Sequence, residues 1–389
     1  MPQVHFHSQL VNPQPLARFC TSLFVANGLL HDDAVLVTDT LVEANLRGID
    51  SHGVGRIPHY LQRIAHGSVK PRPHPRVEKL APAAARVLGD HGLGQIVMNR
   101  ATEVALDLAR EAGAGWVSVS ESSHCGALAY YGLKMAEAGM VGFVFTHVDP
   151  MVIPFGAKKP FCGTNPICIT APHGGHGRPG KAVCLDMATS KAPWNTVMNA
   201  AREGVPIEPG WGVDADGNDT TEAGRVAAMY PFGSYKGSGL GLVIDILCAM
   251  LSGAPFGPDI PKMYGGDMSE HRRLGGLVGA IDIGRFVALE TFQNRLSELI
   301  TRWAALPPVE PEGHVLYPGE PEILERQRRL REGIPLGHYL LEEFDVLADT
   351  HGLERLPRQL PRHEVMPPLA PHVFGAPAKK EVETEAKGH

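Results

Sequence analysis

The stretch RGIDSHGVGRIPHY, residues 47–60, gathers side chains that handle protons and carboxylates. Ser51, His52 and Arg56 lie within six residues, and positions 52 and 56 share a face if the segment is helical or tightly turned. Histidine can take a proton from an alcohol or give one to a carbonyl near neutral pH. Arginine binds a carboxylate through a planar fork. The motif indicates chemistry on a hydroxy or oxo acid, although a solvated helix end capped by serine and histidine has the same composition.

Three further segments carry candidate polar groups. In SESSHCGALAYY, His124 follows a strand-like run and precedes a helical one, which is where ligands gather in α/β sheets. A capping or core histidine is the alternative. In PFCGTNPICITAP, Thr164 and Asn165 form a turn before a strand, and LDMATS is an apolar strand that ends in an acid and small hydroxyl residues. Each segment alone is a weak indication of function.

Motifs for nucleotide binding are incomplete. The strand-to-helix turns that the pattern places do not contain the GxGxxG of a Rossmann fold. KGSGLGLV comes nearest, but its glycine spacing differs, and close helix packing accounts for its glycines. Lys236 beside Gly237, at the start of a predicted helix, can bind a phosphate together with free backbone N–H groups. A solvated surface lysine is an equally good interpretation of that residue.

Bulk properties exclude several classes of protein. The net charge is −6 without a basic block, which argues against nucleic acid and anionic membranes as partners. The first residues lack the pattern of a secretory signal, and no apolar run reaches the roughly 18 residues that span a bilayer. Six cysteines without a CxxC pair indicate reduced thiols and a cytoplasmic protein. Without an HExxH motif, a paired Cys–His spacing or a carboxylate-rich loop, the sequence predicts no metal site.

Hydrophobic periodicity predicts helices that precede an α/β region. Two amphipathic helices are predicted over 8–30 and 31–47, and residues 71–84 form a proline-rich connection. Helices are then predicted over 94–113, 126–139 and 286–305, and strands over 85–90, 115–122, 140–148, 165–172, 181–190 and 274–284. Residues 237–253 are apolar on nearly all sides, which predicts a buried helix. The charged segment 376–389 is predicted to be disordered.

Several of these segments occur together in one order, and this combination is specific to one protein family. RGIDSHGVGRIPHY, SSHCGALAYY, DPMVIPFG…CGTNP, LDMATS, YKGSGL and YPGEPE…GIPL resemble the malate/L-lactate dehydrogenase type 2 family from about residue 10 to residue 345. That family also includes ureidoglycolate and sulfolactate dehydrogenases, diketogulonate reductase and cyclic imino acid reductases. DPMVIPFG and MYGGDMSEHRRLGGL look most like the ureidoglycolate enzymes. The resemblance implies an α/β fold with a non-Rossmann mixed sheet and flanking helices. It also implies NAD or NADP as cofactor, and a homodimer with the active site near the subunit interface.

The resemblance also implies roles for individual residues. It assigns catalytic roles to three residues, which are His124, His52 and Ser51. It assigns contacts with a small carboxylate substrate to Arg56, Tyr60 and Thr164. It assigns cofactor contacts to eight residues, which are Asp186, Met187, Ala188, Lys236, Gly237, Pro318, Gly319 and Glu320.

One segment departs from the family pattern. Some relatives place an acid shortly after ATS, where it completes a Ser–His–Asp relay. Here the segment is KAPWNTV, so Asn195 or Thr196 occupies that place. We therefore expect His124 to transfer the proton, with His52 as the second candidate.

The predicted organisation and activity follow from these residues. We expect an N-terminal helical segment over 1–75 that carries the SHGVGR motif, an α/β NAD(P)-binding core over 76–310, a C-terminal helical segment over 311–365 and a disordered tail over 366–389. The expected reaction is hydride transfer between the nicotinamide and a small 2-hydroxy or 2-oxo acid. An NADPH-dependent reductase of cyclic imino acids is one alternative, and a non-catalytic ligand-binding protein with the same fold is another.

Overall fold

A computed structural model describes residues 8–175, 179–310 and 312–358. Within these ranges the strands are β1 Ser8–Val11, β2 Arg76–Ala81, β3 Ala84–Leu88, β4 Ala114–Ser122, β5 Met140–Thr146, β6 Ile167–Pro172, β7 Ala182–Met187, β8 Gly212–Val213, β9 Asp219–Thr220, β10 Ala228–Met229, β11 Leu274–Asp282 and β12 Ile334–Gly337. The α-helices are α1 Pro13–Ala26, α2 His31–Leu46, α3 Ile57–Ala65, α4 Gly94–Ala112, α5 Ala129–Glu137, α6 Trp194–Glu203, α7 Tyr235–Asp245, α8 Leu289–Ala304, α9 Glu320–Glu332 and α10 His338–His351.

A seven-stranded mixed sheet forms the centre, in the order β2-β3-β4-β11-β5-β6-β7. Strands β3 and β4 are parallel, and all other neighbours in this sheet are antiparallel. Strand β11 inserts between β4 and β5, so that Val278 lies opposite Val117 and Val144. The predicted mixed sheet with flanking helices is therefore confirmed.

Helix α4 covers the middle of this sheet because its apolar residues recur at helical spacing. Val97, Ala101, Ala105 and Leu108 are buried in one cluster with the valines of β4. The helix ends at Gly113, whose φ of +86° suits the left-handed conformation of a helix terminus. Helix α5 packs on β5 and β6 in the same layer. Together these helices fix the position of the chain that leaves β4.

The N-terminal helices form a second core with the C-terminal part of the chain. Helices α1 and α2 pack on each other, α1 also packs on α10 and α2 on α9. Strand β1 pairs with β12 antiparallel, with Ser8 opposite Gly337. The helix predicted from residue 8 begins later, at Pro13, because Asn12 caps it by accepting a hydrogen bond from the N–H of Gln14. The two ends of the described chain thus meet beside the residue 47–60 motif.

The proline-rich segment 71–84 is more regular than the sequence predicts. Its second half is β2, an edge strand that pairs with β3. Its side chains are mostly exposed, so the strand lacks the alternation of apolar residues that would reveal it. An ion pair between Glu78 and Arg86 joins the two strands across the edge.

The sequence predicts a buried helix over residues 237–253. The prediction that this helix is buried is wrong. Helix α7 continues into a π-helical turn, Ile246–Met250, and only one side, with Ile244 and Cys248, is fully buried. Five large apolar side chains on the other side are about half exposed, namely Leu242, Val243, Ile246, Met250 and Leu251. We call these five residues the α7 apolar face. Apolarity on all sides of a helix does not distinguish burial within one chain from burial against another.

The structure does not test the predicted tail or the predicted domain boundaries. The predicted tail, 366–389, lies outside the described residues, and the domain boundaries stay predictions. Among the described residues, none of the helices combines the length and the apolarity needed to span a bilayer.

Candidate active site

The residue 47–60 motif lies between α2 and α3 as two single helical turns, Asp50–His52 and Val54–Arg56. Asn45 in the last turn of α2 holds both, because its Oδ1 accepts from the N–H of Val54 at 2.8 Å and its Nδ2 donates to Asp50 Oδ1 at 2.6 Å. A Cβ at Gly53 would lie 2.1 Å from Asn45 Oδ1. Glycine at that position is therefore a packing requirement of the motif.

Helix α9 supports the same motif from the C-terminal part of the chain. Arg329 donates from Nη1 and Nη2 to the two carboxylate oxygens of Asp50, at 2.6 and 2.9 Å. It also donates to the carbonyl oxygen of Asn45 at 2.7 Å. A paired arginine fork of this kind fixes orientation as well as distance. The position of Ser51, next to Asp50, thus depends on a residue that is distant in sequence.

The structure brings His52 and His124 together. His124 follows β4 at its carboxyl end, and the two imidazole rings stack with centroids 5.4 Å apart. The Oγ of Ser51 lies 2.8 Å from Nδ1 of His52. His52, His124 and Thr164 line one small cavity, which Val148 and Leu274 close on the apolar side. Five separate segments of the chain therefore meet at one point.

Tyr60 lies behind His124. It is 2% exposed, and its phenol oxygen lies 2.6 Å from Nδ1 of His124. Gln95 in the first turn of α4 donates from Nε2 to the same phenol oxygen at 3.2 Å. Sequence reasoning did not find Gln95, because a glutamine in a predicted helix carries no signal of its own.

Arg56 is held by three neighbours at the edge of the motif. Its Nε donates to the carbonyl oxygen of Ser51 at 2.6 Å, its Nη2 donates to Asn195 Oδ1 at 3.1 Å, and its Nη1 donates to the phenol oxygen of Tyr264. Asn195, where the family pattern offers an acid, also donates to the carbonyl oxygen of Ser51 at 3.1 Å. Tyr264 was missed, since it lies far along the chain in a segment without periodicity.

Burial keeps both histidines neutral. It lowers the pKa of His52 to about 3, with the positive charge of Arg56 as the second cause. Burial, His52 and Arg56 together lower the pKa of His124 well below its ordinary value. The rings are therefore unprotonated at neutral pH. A neutral imidazole beside a guanidinium can accept a proton from a bound hydroxy acid.

The residues assigned to a cofactor gather around β7. Asp186 and Met187 end this strand, and the backbone N–H of Cys184, two residues earlier, donates to the carbonyl oxygen of Pro318 at 2.9 Å. Gly319 has a φ of +95°, and a Cβ there would lie 3.0 Å from that of Cys184. This close approach brings the PGE turn, residues 318–320, against the strand that carries Asp186.

The start of α7 approaches the same region through Thr189. The carbonyl oxygen of Thr189 accepts from the N–H of Phe232 at 2.9 Å, and Thr189 lines a second small cavity with Gly237 and Gly241. Its own N–H donates to the carbonyl oxygen of Thr164 at 2.8 Å, so the two cavities adjoin at this pair. Lys236 is exposed beside Gly237.

Asp186 has a partner within the protein. Its carboxylate accepts a hydrogen bond from the N–H of Ala129 at the start of α5, at 2.7 Å. Burial raises its pKa to about 6. Across the described residues, histidine, cysteine, aspartate and glutamate side chains do not cluster in threes that would hold a metal ion.

The comparison with known families agrees with this geometry. The sequence profile of the malate/L-lactate dehydrogenase family matches residues 11–345. The chain belongs to the malate/L-lactate dehydrogenase family. Within it, the chain is 34% identical over 309 residues to the NAD(+)-dependent ureidoglycolate dehydrogenase of Escherichia coli K12, covering 79% of this chain and 87% of that one.

Solved structures of family members share the fold of this chain. The malate dehydrogenase of Pyrococcus horikoshii OT3 superposes with a TM-score of 0.82 at 32% identity, covering 92% of this chain and 99% of that one. The Δ1-piperideine-2-carboxylate reductase of Pseudomonas syringae superposes with a TM-score of 0.78 at 31% identity, covering 87% and 100%. The family scaffold thus carries both dehydrogenases and an imino acid reductase.

Proposed function

We propose that this protein transfers a hydride between NAD or NADP and a small 2-hydroxy or 2-oxo acid such as malate, lactate or ureidoglycolate. The observation that carries the proposal is the meeting of two neutral histidines and Thr164 at one cavity. The fork of Arg56 is held beside them, because its Nε donates to the carbonyl oxygen of Ser51, the residue before His52. Relatives named as dehydrogenases of malate and of ureidoglycolate support the substrate class.

The residues around β7 fit a dinucleotide. Oδ1 of Asn165 is buried without a partner among the described residues, while its Nδ2 donates to the carbonyl oxygen of Gly241 at 2.9 Å. Asn165 thus lies between the two cavities with an acceptor left for a bound amide. Lys236 and the N-terminus of α7 suit a phosphate. The remaining assigned contacts are Asp186, Met187, Ala188, Gly237, Pro318, Gly319 and Glu320.

In this mechanism the nicotinamide supplies the hydride acceptor or donor. The protein binds the substrate carboxylate with Arg56, whose Nη atoms exchange their present bonds to Tyr264 and Asn195 for bonds to the acid. His124 accepts the hydroxyl proton at Nε2, since its Nδ1 faces Tyr60. Ser51 orients His52, which stacks on His124. Positioning is the largest contribution of these residues.

A second candidate function is reduction of a cyclic imino acid with NADPH. The structural likeness to the Pseudomonas reductase favours it. The same arginine fork would hold the carboxylate, and His124 or His52 would give rather than take a proton.

The α7 apolar face supports a homodimer. Five half-exposed apolar side chains on neighbouring turns form a patch that a single soluble chain seldom leaves open. The patch begins within a few residues of Lys236 and Gly237, so a partner subunit on it would border the proposed cofactor site. The six cysteines are free and buried, which supports a reducing compartment such as the cytoplasm.

A substrate panel tests the proposal. The purified protein is assayed at 340 nm with NAD and NADP against 2-hydroxy acids, and with NADH and NADPH against 2-oxo acids and cyclic imino acids. Turnover of a hydroxy or oxo acid is expected, and turnover of imino acids alone would establish the second candidate. A protein that turns over none of them with either cofactor would refute both.

A further inference from the structure

The contacts behind His124 end at Gln95. Nδ1 of His124 lies 2.6 Å from the phenol oxygen of Tyr60, and Nε2 of Gln95 lies 3.2 Å from that same oxygen. Gln95 and Tyr60 are 0% and 2% exposed, so water does not compete for these bonds. Oε1 of Gln95 is buried and has no partner among the described residues. This series of hydrogen bonds therefore ends at the Gln95 amide, whose Oε1 has no partner among the described residues.

The orientation of that amide is coupled to the protonation of His124. A phenol has one proton to donate. When Gln95 donates to Tyr60, the phenol proton goes to Nδ1 of His124, and the neutral ring carries its own proton on Nε2. The N–H of Gly126, 3.4 Å from Nδ1, favours the same arrangement. Nε2 can then donate to a carbonyl oxygen and cannot accept a proton.

The opposite orientation gives the opposite tautomer. With Oε1 turned toward Tyr60, the phenol donates to Gln95 and accepts from Nδ1–H of His124, which leaves the lone pair on Nε2. The two amide orientations differ only by exchange of nitrogen and oxygen, a change that a glutamine makes within the same volume. Oxidation of a hydroxy acid needs this second arrangement, because the hydroxyl proton must have a lone pair to move to as the hydride leaves the carbon.

We propose that Gln95 is a positioning residue that sets, through Tyr60, which ring nitrogen of His124 carries the proton. Gln95 is not among the residues that line the cavity of His52 and His124, so it acts through Tyr60. Because the Gln95 amide can either donate to the phenol or accept from it, the same side chain supports both directions of a reversible reaction. This inference rests on the proposed function, in which His124 transfers the proton.

The test compares two substitutions of similar size. Gln95→Met removes both ends of the amide, so the phenol can donate only to Nδ1, and His124 is held with its proton on Nε2. Gln95→Glu, when ionised, only accepts, so it favours the lone pair on Nε2. Thr102→Val is the matched control, because Thr102 is equally buried on the same helix and donates to the carbonyl oxygen of Met98, within its own helix.

The first readout is independent of activity. In protein labelled with ¹⁵N-histidine, the His124 signals are identified by their loss in His124→Asn. Gln95→Met is expected to shift the tautomer ratio toward the Nε2–H form and Gln95→Glu toward the Nδ1–H form, each by about tenfold, the usual effect of one hydrogen bond. Thr102→Val should leave the ratio unchanged. An unchanged ratio in both Gln95 variants would overturn the proposal.

The second readout is kinetic. Gln95→Met is expected to lower kcat for the hydroxy acid about tenfold with KM within about twofold, and Gln95→Glu to recover part of that loss. In the Tyr60→Phe background, Gln95→Met should cause no further loss, because Gln95 acts only through the phenol. Losses that add in the double variant would contradict the proposal. A wild-type protein without turnover would refute the proposed function and leave the tautomer measurement as the test of Gln95.

Discussion

Arg56 shows how much a single side chain depends on its geometry. Its Nε donates to the carbonyl oxygen of Ser51, and this bond can remain while the Nη atoms exchange Tyr264 and Asn195 for the acid, so the fork is partly oriented before a substrate binds. Such an orientation lowers the entropy lost on binding. The residue is therefore more than a positive charge beside two histidines.

Replacing Arg56 by lysine tests this directly. Arg56→Lys keeps the charge and loses the bidentate fork, so kcat/KM for the hydroxy acid is expected to fall by about tenfold to a hundredfold. Steady-state kinetics measure the loss. Arg302→Lys, on the exposed side of α8 and far along the chain from the motif, is the control. Unchanged kinetics in Arg56→Lys would remove the carboxylate fork from the mechanism.

The lowered pKa values of the two histidines predict an unusual pH profile. The base must be neutral to accept a proton, and burial keeps it neutral at pH values where an exposed histidine is already charged. As the pH falls from 8, kcat/KM for oxidation should therefore show no half-loss near 6.5, the ordinary histidine pKa. The profile is measured at saturating cofactor. A half-loss at 6.5 would mean that the proton-transfer group is exposed.

Residue types could be predicted from the sequence, and their contacts could not. The motif SHGVGR names Ser51, His52 and Arg56 because rare residue types occur close together. Gln95 and Tyr264 reach the same place through tertiary packing, which leaves no local pattern. The roles of all these residues in catalysis stay predictions.

At the scale of elements, the start of α4 and the end of β4 form one unit. A Cβ at Gly94 would lie 2.3 Å from the carbonyl oxygen of Ser123 and 2.6 Å from that of His124. The helix start, which carries Gln95, therefore rests directly on the backbone of the proposed base. Position 94 permits no side chain without moving one of the two.

Gly94→Ala should thus disturb both stability and activity. Forcing a methyl group into this contact is expected to reduce the free energy of unfolding by about 1–3 kcal/mol and to lower kcat more than KM. Urea unfolding and steady-state kinetics measure the two effects. Gly224→Ala is the control, since its added Cβ meets open space at an ordinary φ. A wild-type kcat in Gly94→Ala would show that the base does not depend on this contact.

Strong periodicity made α4, β4, β5 and β11 predictable from the sequence. Strand β2 was missed because an exposed edge strand has no buried face to mark in the sequence. The order of strands was also beyond local patterns, since β11 enters the sheet between β4 and β5 from a distant part of the chain. Only the resemblance to a family indicated a mixed sheet.

At the scale of the whole molecule, the α7 apolar face predicts self-association. Val243→Glu places a charge in the middle of the face and is expected to shift the protein from dimer to monomer in sedimentation velocity. Val346→Glu, the same substitution on the exposed side of α10, is the control and should leave the dimer intact. A wild-type protein that sediments as a monomer at micromolar concentration would contradict the proposed dimer.

The hold of Arg329 on Asp50 has a consequence for synthesis. A ribosome releases α9 only after nearly all of the α/β region has emerged, so the SHGVGR turns lack their support until the last part of the chain arrives. A chain truncated before α9 is therefore expected to hold the Asp50–His52 turn less firmly, even where its central sheet is complete. The proposed site is therefore expected to become fully ordered only after the C-terminal helices have been synthesised.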